Sequence, residues 1–212
     1  MARKLTPEED KIRVDGLWQT ERERIADGYA RVAGVDEAGR GPLAGPVYAA
    51  AVILPEGTYI AGINDSKKLS EKKREELYDE IVEKAVAYHI SSVDESVIDE
   101  INILNATYIA MNDALSHVSA DYALIDGNRV PDGIEVPCET IVKGDSKSIS
   151  IAAASILAKV ARDRYIIEQD ALYPEYGFAK HKGYGTKQHT EAIAEHGPCK
   201  IHRRTFIKNF IK

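Results

Sequence analysis

Two apolar runs flank a glycine-rich turn in VAGVDEAGRGPLAGPVYAAAVIL (Val32–Leu54), and two adjacent carboxylates, Asp36 and Glu37, close the first run. No other stretch restricts the fold as tightly. The runs read as strands, Arg31–Glu37 and Val47–Leu54, joined through Gly39-Arg40-Gly41. Charges crowded at a strand end are costly unless a metal, an arginine or bulk water compensates them. A regular strand would also send Asp36 and Glu37 to opposite faces, so the strand is expected to end or bulge there. Pro42 and the strand after it exclude a dinucleotide-binding loop, which needs a helix at that point. KGDSKS (Lys143–Ser148) lacks the spacing of a phosphate-binding P-loop.

The remaining chain supplies helices and further strands. Thr6 to Ala26 is charged, with Leu17, Trp18 and Ile25 near helical spacing, and residues 1–31 are expected to form a helical lead-in to one domain over 32–212. Ala85–Val93 reads as a third strand. Before it, Ser70 caps a helix carrying Leu77, Ile81 and Ala85 on one face. Asn102–Val118 is a second helix, with Ile103, Ala106, Ala110 and Leu115 apolar. Tyr122–Gly127 and Cys138–Gly144 are short buried-type strands. Ser148–Leu172 is the longest helix, and a last one runs from Thr186 to Gly197-Pro198. Strands followed by alternating helix and strand predict an α/β fold, a mixed sheet flanked by helices. In such sheets, sites gather at strand ends.

At 212 residues and 44% hydrophobic, the chain can bury a core without staples. Two cysteines, Cys138 and Cys199, are too few for a disulfide framework, so a reducing cytoplasmic setting is expected. The charged N-terminus does not read as a signal peptide, and no apolar run is long enough to span a membrane. The net charge of −6 is unevenly spread. Residues 143–212 hold 13 Lys+Arg against 7 Asp+Glu (+6), and residues 1–142 hold 15 against 27 (−12). A basic C-terminal third on an acidic body suits local binding of a polyanion.

Three strand ends present acids beside glycine: Asp36-Glu37, Asp126-Gly127 and Gly144-Asp145. Taken singly, each fits an ordinary turn, where Asp before Gly is common. If the strands are neighbours, four carboxylates converge, and a hard cation must sit among them. Mg²⁺ suits oxygen ligands and substrate phosphates, and two such ions would serve phosphodiester hydrolysis. HGPCKIH sets His196, Cys199 and His202 three apart, but Pro198 and the lack of a fourth ligand favour capping and packing over zinc.

VAGVDEAGRGPLAGPV resembles the signature of the ribonuclease HII family (type 2 ribonuclease H). INDSKKLS (Ile63–Ser70), LIDGN (Leu124–Asn128), IVKGDSKS (Ile141–Ser148), AAASILAKVARDR (Ala152–Arg164) and HKGYGTKQH (His181–His189) follow in that family's order. The resemblance spans about Val32 to Phe206 and implies a ribonuclease H-like fold. It also implies metal-dependent cleavage of RNA in RNA–DNA hybrids and of ribonucleotides embedded in duplex DNA. By motif it makes Asp36, Glu37, Asp126 and Asp145 the ligands of two Mg²⁺ or Mn²⁺ ions. Asp36 would bridge, Glu37 and Asp126 would hold one ion, and Asp145 the other. Asp145 is chosen over Asp163 by the KGD match alone, and Asp163 is expected on a helix surface, paired with Arg162 or Arg164.

Gly39-Arg40-Gly41 resembles the loop that reads the ribose 2′-hydroxyl, the group that separates RNA from DNA. Tyr184 matches the tyrosine that stacks on the deoxyribose beyond the junction. Lys143 lies in the matched IVKGDSKS block and is placed among the substrate contacts. Ser155 and Lys159, one helical turn apart, are expected to face one phosphate strand. Asn64, Ser66 and Lys67 are expected to do similar work, and His181 and Lys182 to contact the backbone rather than a metal. The related type 3 enzymes carry an extra N-terminal domain for which residues 1–31 leave no room. A monomer without membrane attachment is expected.

Overall fold

The computed structural model describes residues 5–211. Its first helix, α1 (Pro7–Gly16), starts where Thr6 and Glu9 form a reciprocal capping box and Pro7 occupies the first turn. The expected lead-in divides here. Leu17 closes α1 with a tightened turn to the carbonyl of Val14, and α2 (Gln19–Ala26) restarts after Trp18. The break lets Val14, Leu17 and Trp18 all enter the core, and the Trp18 indole donates to the carbonyl of Thr58 at 3.0 Å. Residues 1–4 of the expected lead-in lie outside the described residues.

Five strands form one mixed sheet: β1 (Val32–Ala38), β2 (Val47–Ile53), β3 (Ala87–Val93), β4 (Tyr122–Asp126) and β5 (Cys138–Ile141), in spatial order β3-β2-β1-β4-β5. β2 runs antiparallel to β1 and β3, whereas β4 and β5 run parallel to β1. Five helices complete the frame around it: α3 (Glu71–Lys84), α4 (Glu95–Ile101), α5 (Ile103–Ser116), α6 (Ile149–Leu172) and the short α7 (Phe178–His181). A last helix, α8 (Lys187–His196), starts from the Thr186 cap and stops at Gly197.

Helices cover both faces. α1, α3 and α6 bury Leu77, Ile81, Ile156 and Leu157 against Ala50 and Val52 on one side. α4 and α5 bury Ile98, Ala110 and Ala114 against Val35, Ala49 and Ala51 on the other. A third cluster, around Ile166, Tyr176, Phe178 and Ile193, joins the end of α6 to α7 and α8. α6 lies directly on β1: a Cβ at Gly34 would fall 2.1 Å from the backbone carbon of Ser150. Only glycine permits that approach.

The differences from expectation have local causes. α4 has only seven residues, too few for periodicity to reveal, although Asp94 caps it. β5 ends at Ile141 rather than Gly144, because Lys143 turns left-handed (φ 57°) and Gly144–Ser146 form a 3₁₀ turn. That turn lifts Asp145 out of any strand.

Candidate active site

The acids converge where β1, β4 and the turn after β5 end together. β1 neither stops nor bulges at Asp36-Glu37, contrary to expectation: its register with β2 runs unbroken from Gly34 opposite Val52 to Ala38 opposite Tyr48. The pairing that ends is on the other side, where β4 leaves β1 after Val35 opposite Ile125. Beyond that point β1 has an open edge beside Asp126, and both carboxylates sense the Asp126 charge from their own faces. Asp126 in turn accepts the Gly144 N–H at 2.6 Å, which ties the turn carrying Asp145 to the end of β4.

Electrostatics mark the cluster. Burial, then the charges of Glu37 and Asp126, hold the Asp36 carboxyl well above the usual carboxylate range. Burial and Asp126 push Glu37 up, against the pull of Arg40, whose guanidinium lies 3.4 Å from Glu37 Oε1. Asp145 is raised by burial and by Asp65 and Asp126. Asp65 was not singled out in the sequence, although it lies within INDSKKLS. It caps the 3₁₀ turn Ser66–Lys68 and accepts the Lys67 N–H. Lys67 completes the field. Desolvation lowers its pKa, but Asp36, Asp145, Asp65 and Asp126 together raise it.

The expected contact residues divide into three groups. Lys67, Arg40 and Tyr184 border the acids or the loop beside them. Tyr184 is 42% exposed, with its ring 5.9 Å from Lys159 Nζ and 5.8 Å from the Arg162 guanidinium carbon. It packs beside Gly41, where an added Cβ would sit 3.8 Å from the ring. Asn64 accepts the Asp65 N–H with its own side chain, and Lys143 is exposed at its left-handed corner.

Others are already engaged. Ser155 and Ser66 are buried and share a 2.9 Å hydrogen bond, which orders the Asp65–Lys67 segment against α6. Lys182 donates to the carbonyl of Ala179. His181 is buried, with Nε2 on the Tyr176 carbonyl and Nδ1 accepting the Gly183 N–H.

Asp163 requires correction. It is buried, not on the surface, and its partners are Lys159 and Arg74 rather than Arg162 or Arg164. Arg164 pairs instead with Glu75. Arg162 is fully buried and donates to the carbonyls of Ala44, Pro46 and Lys182. Arg203, equally buried, donates to the carbonyls of Gly39, Arg40, Pro42 and Gly45. Two guanidinium forks thus hold the Gly39–Pro46 loop and its neighbour at Lys182. No sequence signal separated them from surface arginines.

His202 and Cys199 belong to a hydrogen-bonded chain rather than to a cation site with His196. Cys199 N–H donates to His202 Nδ1, His202 Nε2 meets His189 Nε2 at 3.0 Å, and His189 Nδ1 reaches the Tyr184 carbonyl. His196 turns to Glu195.

The donor set of the acid cluster is all oxygen, with no imidazole or thiol among its four carboxylates. Such a set, mutually repelling and partly buried, fits Mg²⁺ or Mn²⁺ better than zinc.

Residues 33–209 match the family model described as Ribonuclease HII. The chain is 59% identical over 202 residues to Ribonuclease HII of Ruminiclostridium cellulolyticum, covering 94% of this chain and 79% of that one. It is 51% identical over 205 residues to Ribonuclease HII of Caldicellulosiruptor saccharolyticus, covering 95% and 100%. The crystal structure of the ribonuclease H2 from Pyrococcus horikoshii OT3 matches with a TM-score of 0.72 at 27% identity, over 85% of this chain and 97% of that one. The five-stranded mixed sheet is therefore a ribonuclease H-like fold, and the chain belongs to the ribonuclease HII family.

Proposed function

We propose that the protein cuts the phosphodiester on the 5′ side of a ribonucleotide, in RNA–DNA hybrids and at ribonucleotides embedded in duplex DNA. Family membership makes it a metal-dependent ribonuclease H acting on RNA–DNA hybrids. The observation that carries the finer reading is the meeting of Asp36, Glu37, Asp126 and Asp145, three of them pushed toward protonation by burial and mutual repulsion. Asp36, Glu37, Asp126 and Asp145 would together hold the divalent ions. When bound, the ions supply Lewis-acid charge for attack by water and for the departing oxygen.

The chain's own residues do the rest. Water oxygen bonds to phosphorus, the bond from phosphorus to O3′ breaks, and O3′ leaves with a proton, giving 3′-hydroxyl and 5′-phosphate ends. Lys67, set in the acidic field, would hold a non-bridging phosphate oxygen. The Gly39-Arg40-Gly41 backbone, braced by Arg203, would read the 2′-hydroxyl, and Tyr184 would stack on the sugar beyond it. Residues 32–212 would carry this chemistry, with residues 1–31 as a brace.

The test is a gel assay on a labelled duplex with one ribonucleotide and on a continuous hybrid, with Mg²⁺, Mn²⁺ or excess EDTA. Cleavage with metal and none in EDTA is expected. Binding without cleavage in either metal, or cleavage that survives EDTA, would overturn the reading.

A further inference from the structure

A second group of metal-binding side chains lies apart from the acids. His89 sits on β3, the edge strand, and pairs with Ala51 of β2, one strand further out than β1. Asp113 and His117 lie one turn apart at the end of α5. One donor atom from each of the three lies within 4.8 Å of the other two. The Asp113 carboxylate is central, 3.9 Å from His89 Nε2 and 3.8 Å from His117 Nδ1. The two imidazoles stack with centroids 4.1 Å apart.

Two further observations favour a ligand. His117 Nδ1 lies 2.7 Å from the Asp113 carbonyl oxygen. A proton on Nδ1 donated to that carbonyl leaves the Nε2 lone pair free, and metal-bound histidines characteristically orient themselves through such a bond. Among the described residues Asp113 has no lysine or arginine partner, and the two rings are its only ion-pair partners.

We propose that His89, Asp113 and His117 form a second cation site, for a borderline divalent transition ion such as Zn²⁺, that clips β3 to α5. Two imidazole nitrogens and one carboxylate suit Zn²⁺, Co²⁺ or Ni²⁺ and disfavour Mg²⁺, whereas the all-oxygen catalytic cluster has the opposite preference. The partial exposure of all three side chains leaves room for water at the open coordination positions. Because the ion joins an edge strand to a helix, its effect should appear in stability rather than in turnover.

The experiment is equilibrium dialysis of the full chain against Zn²⁺ in excess Mg²⁺, with bound zinc counted by elemental analysis. It compares Asp36→Asn/Asp145→Asn, which disables the catalytic cluster, with the same protein also carrying His89→Gln/His117→Gln. The first should retain one more zinc per chain than the second. Zinc at a hundredfold excess over its Kd should shift the folding equilibrium of the otherwise wild-type chain about 100-fold. That corresponds to a Tm rise of roughly 5–10 °C for a protein of this size, absent when both histidines are replaced. Asp113→Asn, nearly isosteric and surface-placed, should weaken zinc binding at least ~10-fold and guards against a folding defect in the histidine variant. Equal zinc content and equal Tm shifts with and without the three ligands would overturn the site.

Discussion

Asp36 illustrates how a residue proposed to hold a metal can be costly for folding. Its raised pKa means that the folded, metal-free protein holds its proton more tightly than the unfolded chain does. Stability is therefore lost as pH rises out of the ordinary carboxylate range and through the raised folded value. Asp36→Asn should remove that cost: its Tm in EDTA at neutral pH should exceed that of the wild type, while cleavage falls by orders of magnitude. A scan in EDTA and one in Mg²⁺ check both arms, because metal should stabilise the wild type more than the variant. Tyr184 tests substrate reading. A stacked ring contributes about 1–3 kcal/mol by alanine substitution. Tyr184→Ala should lose roughly 10–100-fold in kcat/KM on a single ribonucleotide in DNA and less on a continuous RNA strand. An unchanged ratio between the two substrates would reduce Tyr184 to packing beside Gly41.

Between elements, the contact that matters most for the lead-in is Glu21. Its carboxylate is buried at the start of α6, where Oε1 accepts the Ser148 hydroxyl at 2.6 Å, the Ser150 N–H at 3.0 Å and the Ser150 hydroxyl. A carboxylate at a helix N-terminus satisfies orphan N–H groups and complements the helix dipole. α2 is thereby fastened to the helix that follows Asp145, so the lead-in braces the site from behind. Glu21→Ala should cost about 2 kcal/mol, read as a lower urea midpoint with unchanged slope. Oε2 of the same group is buried without a hydrogen-bond partner, which limits the net gain from the cap.

At the scale of the molecule, two charge balances govern behaviour in solution. The neutral chain of His189 and His202 is depressed to about 4 at both rings, mainly by burial. The unfolded chain takes up those protons near 6.5, so stability should fall as pH drops from about 6.5 toward 4, by a few kcal/mol in total. Urea midpoints at successive pH values in that window check it; a flat profile would mean that the rings protonate without opening the fold. The second balance is the +6 of residues 143–212 on a chain of net charge −6. Affinity for a hybrid, measured in Ca²⁺ to suppress turnover, should decline linearly in log–log form with salt, with a slope of about −0.9 per phosphate neutralised. Salt-insensitive binding would contradict a phosphate-led interface.

Much of the architecture was legible in the chain because its signals are local. Ser70 and Thr186 announce helix starts, the alternation of apolar runs announces the mixed sheet, and Asp-Gly pairs announce acids at strand ends. What the sequence by itself determined was therefore most of the longer elements, and that Asp36, Glu37 and Asp126 stand where strands finish. Only the tertiary structure decided what those residues meet. Asp163 reads locally as a surface acid next to two arginines, yet α3 brings Arg74 to it across 89 positions. Arg203 reaches the Gly39–Gly45 carbonyls across more than 150 positions, and Glu21 reaches Ser148 across 127. Periodicity and capping carry no information about such pairings, because they arise only when separate elements are packed and their buried charges must each find a partner.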